Sequence, residues 1–210
     1  MKRWDWSRMS FSPMPVLAGL GTLGGLAAAY GYWVEPFWFK RTRLNIPFAG
    51  LDRRMDGFRI LQISDIHIAP WMMKGYLRRI ADSANRARAD VIALTGDYFF
   101  DPFPGMYPAL EEFVAALEPR LVKLAILGNH DHWTDPVKIR AALERSGCID
   151  LSNRTIEVGE ARCKIIIAGL DDPWEGKDEL ETVLPRIPDG EKAVLLVHEP
   201  DYARKYARTR

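Results

Sequence analysis

Two patterns of apolar residues follow one another along this chain. From Met9 to Val34 no charged residue occurs, and VLAGLGTLGGLAAAYGYW (16–33) is apolar all round and long enough to cross a bilayer as a helix. Beyond residue 50, short continuous apolar runs alternate with segments whose apolar residues recur three and four positions apart. The runs FRILQI (58–63), VIALT (91–95), LVKLAIL (121–127), KIIIAG (164–169) and AVLLVH (193–198) read as buried strands. Leu77, Ile80, Ala81, Ala84 and Ala87 form one helical face, and Leu110, Phe113, Val114 and Leu117 a second. A third helix is predicted to start with Asp135 as N-cap and Pro136 in its first turn, and to end at Gly147. Strand and helix alternate with a repeat of about thirty residues, the βαβ logic of an α/β fold with a largely parallel inner sheet.

The first segment has the flanks of a membrane helix. Trp4 and Trp6 stand on one side, and Tyr30, Tyr32, Trp33, Phe37 and Trp38 on the other, as an interfacial belt requires. Lys2, Arg3 and Arg8 before the span and Ala27-Ala28-Ala29 inside it also fit a signal peptide with a small-residue cleavage site, so both readings stand, with the uncleaved anchor preferred. Gly19, Gly21, Gly24 and Gly25 argue against a soluble core helix. Basic residues after the span (Lys40, Arg41, Arg43, Arg53, Arg54) rival those before it, and the charge rule leans only slightly toward a cytoplasmic domain. The expected division is 1–40 as membrane anchor or signal segment and 41–210 as one globular domain.

Charge and cysteine content narrow the partners. Lys plus Arg (29) nearly cancel Asp plus Glu (28) in the 210 residues, so no basic stripe points to nucleic acid. The two cysteines, Cys148 and Cys163, are too few for a disulfide framework and lack the spacing of a zinc-thiolate site, and read as reduced, partly buried thiols.

Each predicted strand ends in groups that bind cations. The first delivers Asp65 and His67, the second Asp97, the third Asn129 and His130 within GNHDHW, and the last His198. In open α/β sheets, sites lie beyond the carboxyl ends of the strands, so these residues are expected to converge although far apart in sequence. Carboxylates, imidazoles and one amide without a thiolate suit Mn, Fe or Zn at an open site rather than a closed structural zinc. Asp97, with two oxygens to share, is the natural bridge. An isolated Asp-x-His is common in loops, and only the combination carries weight. Asp131 has an equally good reading as a turn cap, His132 matches no ligand position and reads as pocket-lining or exposed, and Asp101, Asp171 and Asp172 read foremost as solvated turn carboxylates. Trp71, Met72 and Met73 offer either an apolar lip or a helix entry packed on the core.

DIH, GD, GNHD and a later isolated His after an apolar strand, in that order, resemble the calcineurin-like metallophosphoesterase superfamily over roughly residues 43–205. The preceding segment, RTRLNIPFAGL and DGFRILQISDIH, together with GLDDPW (169–174), resembles its membrane-anchored bacterial phosphodiesterase branch, related to enzymes that cleave the pyrophosphate of UDP-diacylglucosamine in lipid A assembly. The resemblance implies an α/β sandwich with helices flanking the sheets, a single-pass protein of the bacterial inner membrane, and hydrolysis of a phosphodiester or pyrophosphate, lipid-linked if the anchor sets the address. It implies two divalent ions, the first on Asp65 and His67, the second on Asn129 and His198, with Asp97 bridging. Ions about 3.5 to 4 Å apart would hold hydroxide and phosphoryl oxygens for in-line attack. His130 would protonate the leaving oxygen or stabilise charge on it, with Asp131 orienting it through its other ring nitrogen. The resemblance further implies a Gly-His-x-His segment after His198, and none occurs by Arg210. The expectation is therefore a domain incomplete at its C-terminus, each ion keeping three protein ligands. A catalytically degenerate membrane protein with weak metal binding is the alternative.

Overall fold

A computed structural model describes residues 13–48, 50–70, 72, 74–160 and 163–202. The chain forms two compact units that divide between Asn45 and Ile46. In the first, helix α1 (Met14–Trp33) coincides with the apolar span and is long and apolar enough to cross a membrane. Its large side chains are exposed all around the helix, Leu17, Leu20, Leu23 and Leu26 among them, so it lacks the single apolar stripe of a surface helix.

The second unit contains two sheets. Strands β1 (Ile60–Ile63), β2 (Val91–Thr95), β3 (Val122–Ile126) and β4 (Cys148–Asp150) make a parallel sheet in sequence order. The crossovers contain helices α2 (Lys74–Asn85), α3 (Met106–Ala115), a short α4 (Asn129–Thr134) and α5 (Pro136–Arg145). The second sheet has the order β5 (Arg154–Glu160), β6 (Cys163–Gly169), β7 (Ala193–Leu196), with β5 and β6 antiparallel and β6 and β7 parallel. Helix α6 (Leu180–Val183) lies between β6 and β7 in sequence.

Strand periodicity sorts side chains into layers. In β2 and β3, Val91, Ala93, Leu124 and Ile126 face one way and join Val158, Ile165, Ile167 and Leu196 of the second sheet in one core. Ile92, Leu94, Ala125 and Leu127 face the other way and pack with Leu77, Leu110, Val114, Ile139 and Leu143 of the helices. In β6 the alternate residues, Ile166 and Ala168, pack outward with Leu180 and Val183 of α6. The result is helices, sheet, sheet, helix: the flanked sandwich, with a wholly parallel first sheet.

The third predicted helix is α5, with the Asp135 side chain accepting from Lys138 N and Gly147 at φ +74° just past its end. Helices α2 and α3 stop before Ala87 and Leu117. Strands β4 and β5 and helix α4 were not predicted. β4 is three residues long, and RTIEVGE in β5 carries charges that hide its period. Leu124 is fully buried between the sheets. Leu124→Ala is expected to cost about 2–5 kcal/mol of stability in urea unfolding, the cost of a cavity at a site that cannot collapse.

Candidate metal centre

The loop after β1 extends the parallel ladder beyond its last strand pair. Asp65 N donates to Gly96 O, His67 N to Asp97 O and Ile68 N to Tyr98 O, and Ile68 bridges Phe99. These bonds lay the DIH segment alongside the GD segment. Asp65, His67 and Asp97 adopt positive φ (53°, 43° and 57°). Asp and His tolerate that region better than most residues, and the strain is of order 1–3 kcal/mol each where the surroundings impose it. In this conformation the ligand-capable atoms of Asp65, His67 and Asp97 lie within 4.8 Å of one another.

The other side of Asp97 faces the ends of β3 and β7. His198 Nε2 is 3.4 Å and His67 Nε2 3.6 Å from the same Asp97 oxygen, Oδ2. His198 Nδ1 lies 2.7 Å from the Thr95 carbonyl, to which only a protonated Nδ1 can donate. That bond fixes the tautomer and turns Nε2 toward Asp97, the orientation that a metal-binding imidazole takes from its outer partner. Asn129 is buried, and its side chain makes no hydrogen bond to the described residues. His67 Nδ1 is buried and unpaired.

Two glycines create the space. A Cβ on Gly128 would collide with Asp97 Oδ1 and come within 2.8 Å of the His198 ring, filling the gap between them. A Cβ on Gly96 would strike the Gly128 backbone. The glycines of GD and GNHD thus let two strand ends touch and keep a cradle open. Buried carboxylate, two imidazole nitrogens and a second carboxylate around that cradle, with the buried Asn129 next to Gly128 in sequence, fit divalent ions with oxygen and nitrogen ligands.

The electrostatics agree. Burial raises the Asp97 carboxyl, but the hydrogen bond and charge of His198 and the His130 N–H, 3.1 Å from Oδ1, outweigh it and hold Asp97 below the usual carboxylate range. Burial lowers the His198 imidazolium, but Asp97 and the Thr95 carbonyl outweigh it and push it up to about 9. The cradle attracts positive charge.

Asp131 differs from its expected role. It is fully buried, and its oxygens accept from Asp97 N (2.8 Å), Tyr98 N (2.9 Å) and Gly128 N (2.9 Å), backbone donors and not the His130 ring. It caps the turn, as an Asx residue does, and ties two strand ends. Burial pushes its carboxyl up to about 7, while the three N–H donors pull the other way. Asp171 and Asp172 are also not where a solvated turn would put them. His132 Nε2 is 2.8 Å from Asp171 Oδ1, Arg140 bonds both Asp171 and Asp150, and Asp172 is fully buried. Trp71 and Met73 lie outside the described residues.

The sequence reading missed Glu199, which directly follows His198. It is buried, both its carboxylate oxygens lack a hydrogen-bond partner, and Oε1 is 4.0 Å from His198 Nε2. Burial and the neighbouring Asp172 push it up to about 7. An acidic residue beside a candidate ligand was the available signal. The reading also missed the rings around His130. Phe100 stacks on it at 5.2 Å, Trp133 lies 4.7 Å away, and His67 meets it edge-on at 4.9 Å.

Two stability effects follow. Asp131→Asn puts an amide N–H₂ against backbone donors and is expected to cost about 1–3 kcal/mol by urea unfolding. Asp171, hydrogen-bonded to it, raises the His132 imidazolium, so this pair's stabilisation is complete below the unfolded value near 6.5 and lost as pH rises through the higher folded value. Burial raises Asp171, but His132 and Arg140 lower it further, so its share is lost as pH falls through its depressed folded value. His132→Gln is expected to cost about 1–2 kcal/mol at pH 6 and to flatten the decline in stability as pH rises above the unfolded value near 6.5, read from urea midpoints.

Residues 58–209 match the family described as Calcineurin-like phosphoesterase. The metallophosphoesterase YkuE of Bacillus subtilis is 32% identical over 194 residues, covering 90% of this chain and 66% of that protein. A zebrafish (Danio rerio) protein named transmembrane protein with metallophosphoesterase domain is 27% identical, covering 80% of this chain and 40% of its own length. The UDP-2,3-diacylglucosamine pyrophosphatase LpxG of Chlamydia trachomatis is 30% identical over 129 residues, covering 59% of this chain and 39% of its own. The chain thus spans between two fifths and two thirds of the length of these relatives. The family match runs through both sheets and every residue of the cradle, and on that ground the chain belongs to the calcineurin-like phosphoesterases.

Proposed function

We propose that this chain is a membrane-anchored phosphoesterase that hydrolyses a phosphodiester or pyrophosphate, lipid-linked by preference, with two divalent ions. The observation that carries the reading is the pair of imidazole Nε2 atoms, from His67 and His198, on either side of one buried Asp97 oxygen. Asp65 and His67 would hold one ion and Asn129 and His198 the other, with Asp97 shared between them. When bound, such ions neutralise phosphoryl oxygens and acidify water enough to make it a nucleophile near neutral pH. Asp97 also accepts the His130 N–H, which sets the His130 backbone against the same carboxylate. The His130 ring gives its proton to the leaving oxygen as the P–O bond breaks, and solvent restores it.

Three features support a lipid-linked substrate. Helix α1 has the length and composition of a membrane span. The family relative LpxG bears the name of a UDP-2,3-diacylglucosamine pyrophosphatase. An apolar cleft is lined by Ile68, Met72, Leu77 and Phe103, and Ile68 is the residue that follows His67 in sequence. An acyl chain suits such a wall, and a free nucleotide does not.

Asp97→Asn is expected to abolish turnover of an aryl phosphodiester in added Mn and to lower bound metal by elemental analysis; unchanged turnover refutes the bridging role. His130→Ala is expected to lower kcat on an alkyl phosphodiester, whose leaving oxygen needs a proton, by roughly 10²- to 10⁴-fold with metal content intact. Faster hydrolysis of a free nucleotide diphosphate than of its lipid-linked counterpart in detergent would overturn the substrate preference.

A further inference from the structure

The His130 imidazole makes no hydrogen bond to a described side chain or carbonyl, and only its backbone N–H is tied down, by Asp97. Yet a ring that delivers a proton needs a fixed direction. Its neighbours are aromatic. Phe100 stacks at 5.2 Å with planes 29° apart, and Trp133 lies at 4.7 Å, tilted by 56°. His67 stands edge-on to the His130 ring at 84° and also meets Phe100 at 5.7 Å.

The placement of both rings follows from the fold. Phe99 is fully buried and bridges Ile68, so strand alternation sends Phe100 outward, above the cradle. Trp133 stands three residues after His130 on α4, on the same helix face. Its indole N–H donates to Glu175 Oε1 at 2.8 Å, which fixes the indole from the loop after β6. Both rings are about 60% exposed (59% and 60%), so neither is a core residue whose packing explains it.

We infer that Phe100 and Trp133 are positioning residues that hold the His130 ring over the leaving oxygen, stacking taking the place of the hydrogen-bonded orienter that Asp131 does not supply. Stacking leaves both ring nitrogens free, whereas a carboxylate would occupy one. Glu175 acts one step further out, through Trp133. This inference rests on the donor role given to His130 above.

Leaving-group chemistry separates positioning from packing. A p-nitrophenolate leaves without a proton, while an alkoxide needs one. The test compares bis(p-nitrophenyl) phosphate with a dialkyl phosphodiester followed by ³¹P NMR, both with Mn, in the full chain and in Phe100→Leu, Trp133→Leu, the double variant, Trp133→Phe and His130→Ala. The expected result is a loss of about 10-fold in kcat on the dialkyl ester for each leucine variant and about 100-fold for the pair, with KM and bound metal unchanged. The aryl ester should lose less than about 3-fold, and Trp133→Phe should restore the alkyl rate. In the metal-free protein, both leucine variants should also shift the His130 ring proton resonances downfield, as the ring currents disappear.

Equal losses on both esters, a rise in KM at unchanged kcat, or a His130 resonance that does not move would overturn the positioning role. If His130→Ala separates the two esters and the leucine variants do not, the positioning role alone fails. If His130→Ala treats both esters alike, the donor role fails and takes the inference with it.

Discussion

A carboxylate with no solvent contact joins the ends of two strands. Asp131 accepts N–H groups of Asp97 and Tyr98 after β2 and of Gly128 after β3. Three donors that would otherwise be orphaned in a dry interior are satisfied at once, and an unpaired one costs about 1–3 kcal/mol. The arrangement closes only if the two backbones touch, hence the glycines at 96 and 128. Touching backbones put Asp97 below the cradle and the His130 N–H on Asp97 Oδ1. The carboxylate that reads in sequence as part of the chemistry is the one that shapes the ground beneath it.

The layers explain why the remaining groups arrive from afar. The first sheet is parallel, so all its carboxyl ends point one way, and Asp65, His67, Asp97 and Asn129 collect along one rim. β7 reaches the same rim from the opposite sheet and brings His198, whose ring is locked to the β2 terminus through Thr95 O. The inter-sheet core of Val91, Leu124, Ile126, Ile167 and Leu196 holds these rims in register. Strain at three cradle residues concentrates where that packing and the extended ladder over-determine the backbone.

Much of this was legible in the sequence. The five continuous apolar runs are five strands, most plainly in β2 and along β3 and β6, where burial on both faces removes the polar half of a strand's alternation. The cradle residues were legible because each follows such a run directly. β4 and β5 were hidden for the opposite reason: Ile149 is exposed between buried Cys148 and Asp150, and RTIEVGE exposes Arg154 and Glu157 and buries Val158. Roles were harder to read than places. Whether Asp131 meets a ring or a backbone depends on a helical turn at residues 129–134, and whether Asp171 meets water or His132 depends on a contact across 39 positions. Composition and spacing carry no trace of either.

The cradle takes ligand-capable groups from both sheets, four from the first and His198 from the second. An ion held by such a set cross-links the two halves of the sandwich. Occupancy and cohesion then become one equilibrium, with saturation at a hundred times the dissociation constant adding about 2.7 kcal/mol to the folded state. On a metal-loaded chain a chelator would act as a denaturant does, loosening the sheets as it empties the cradle.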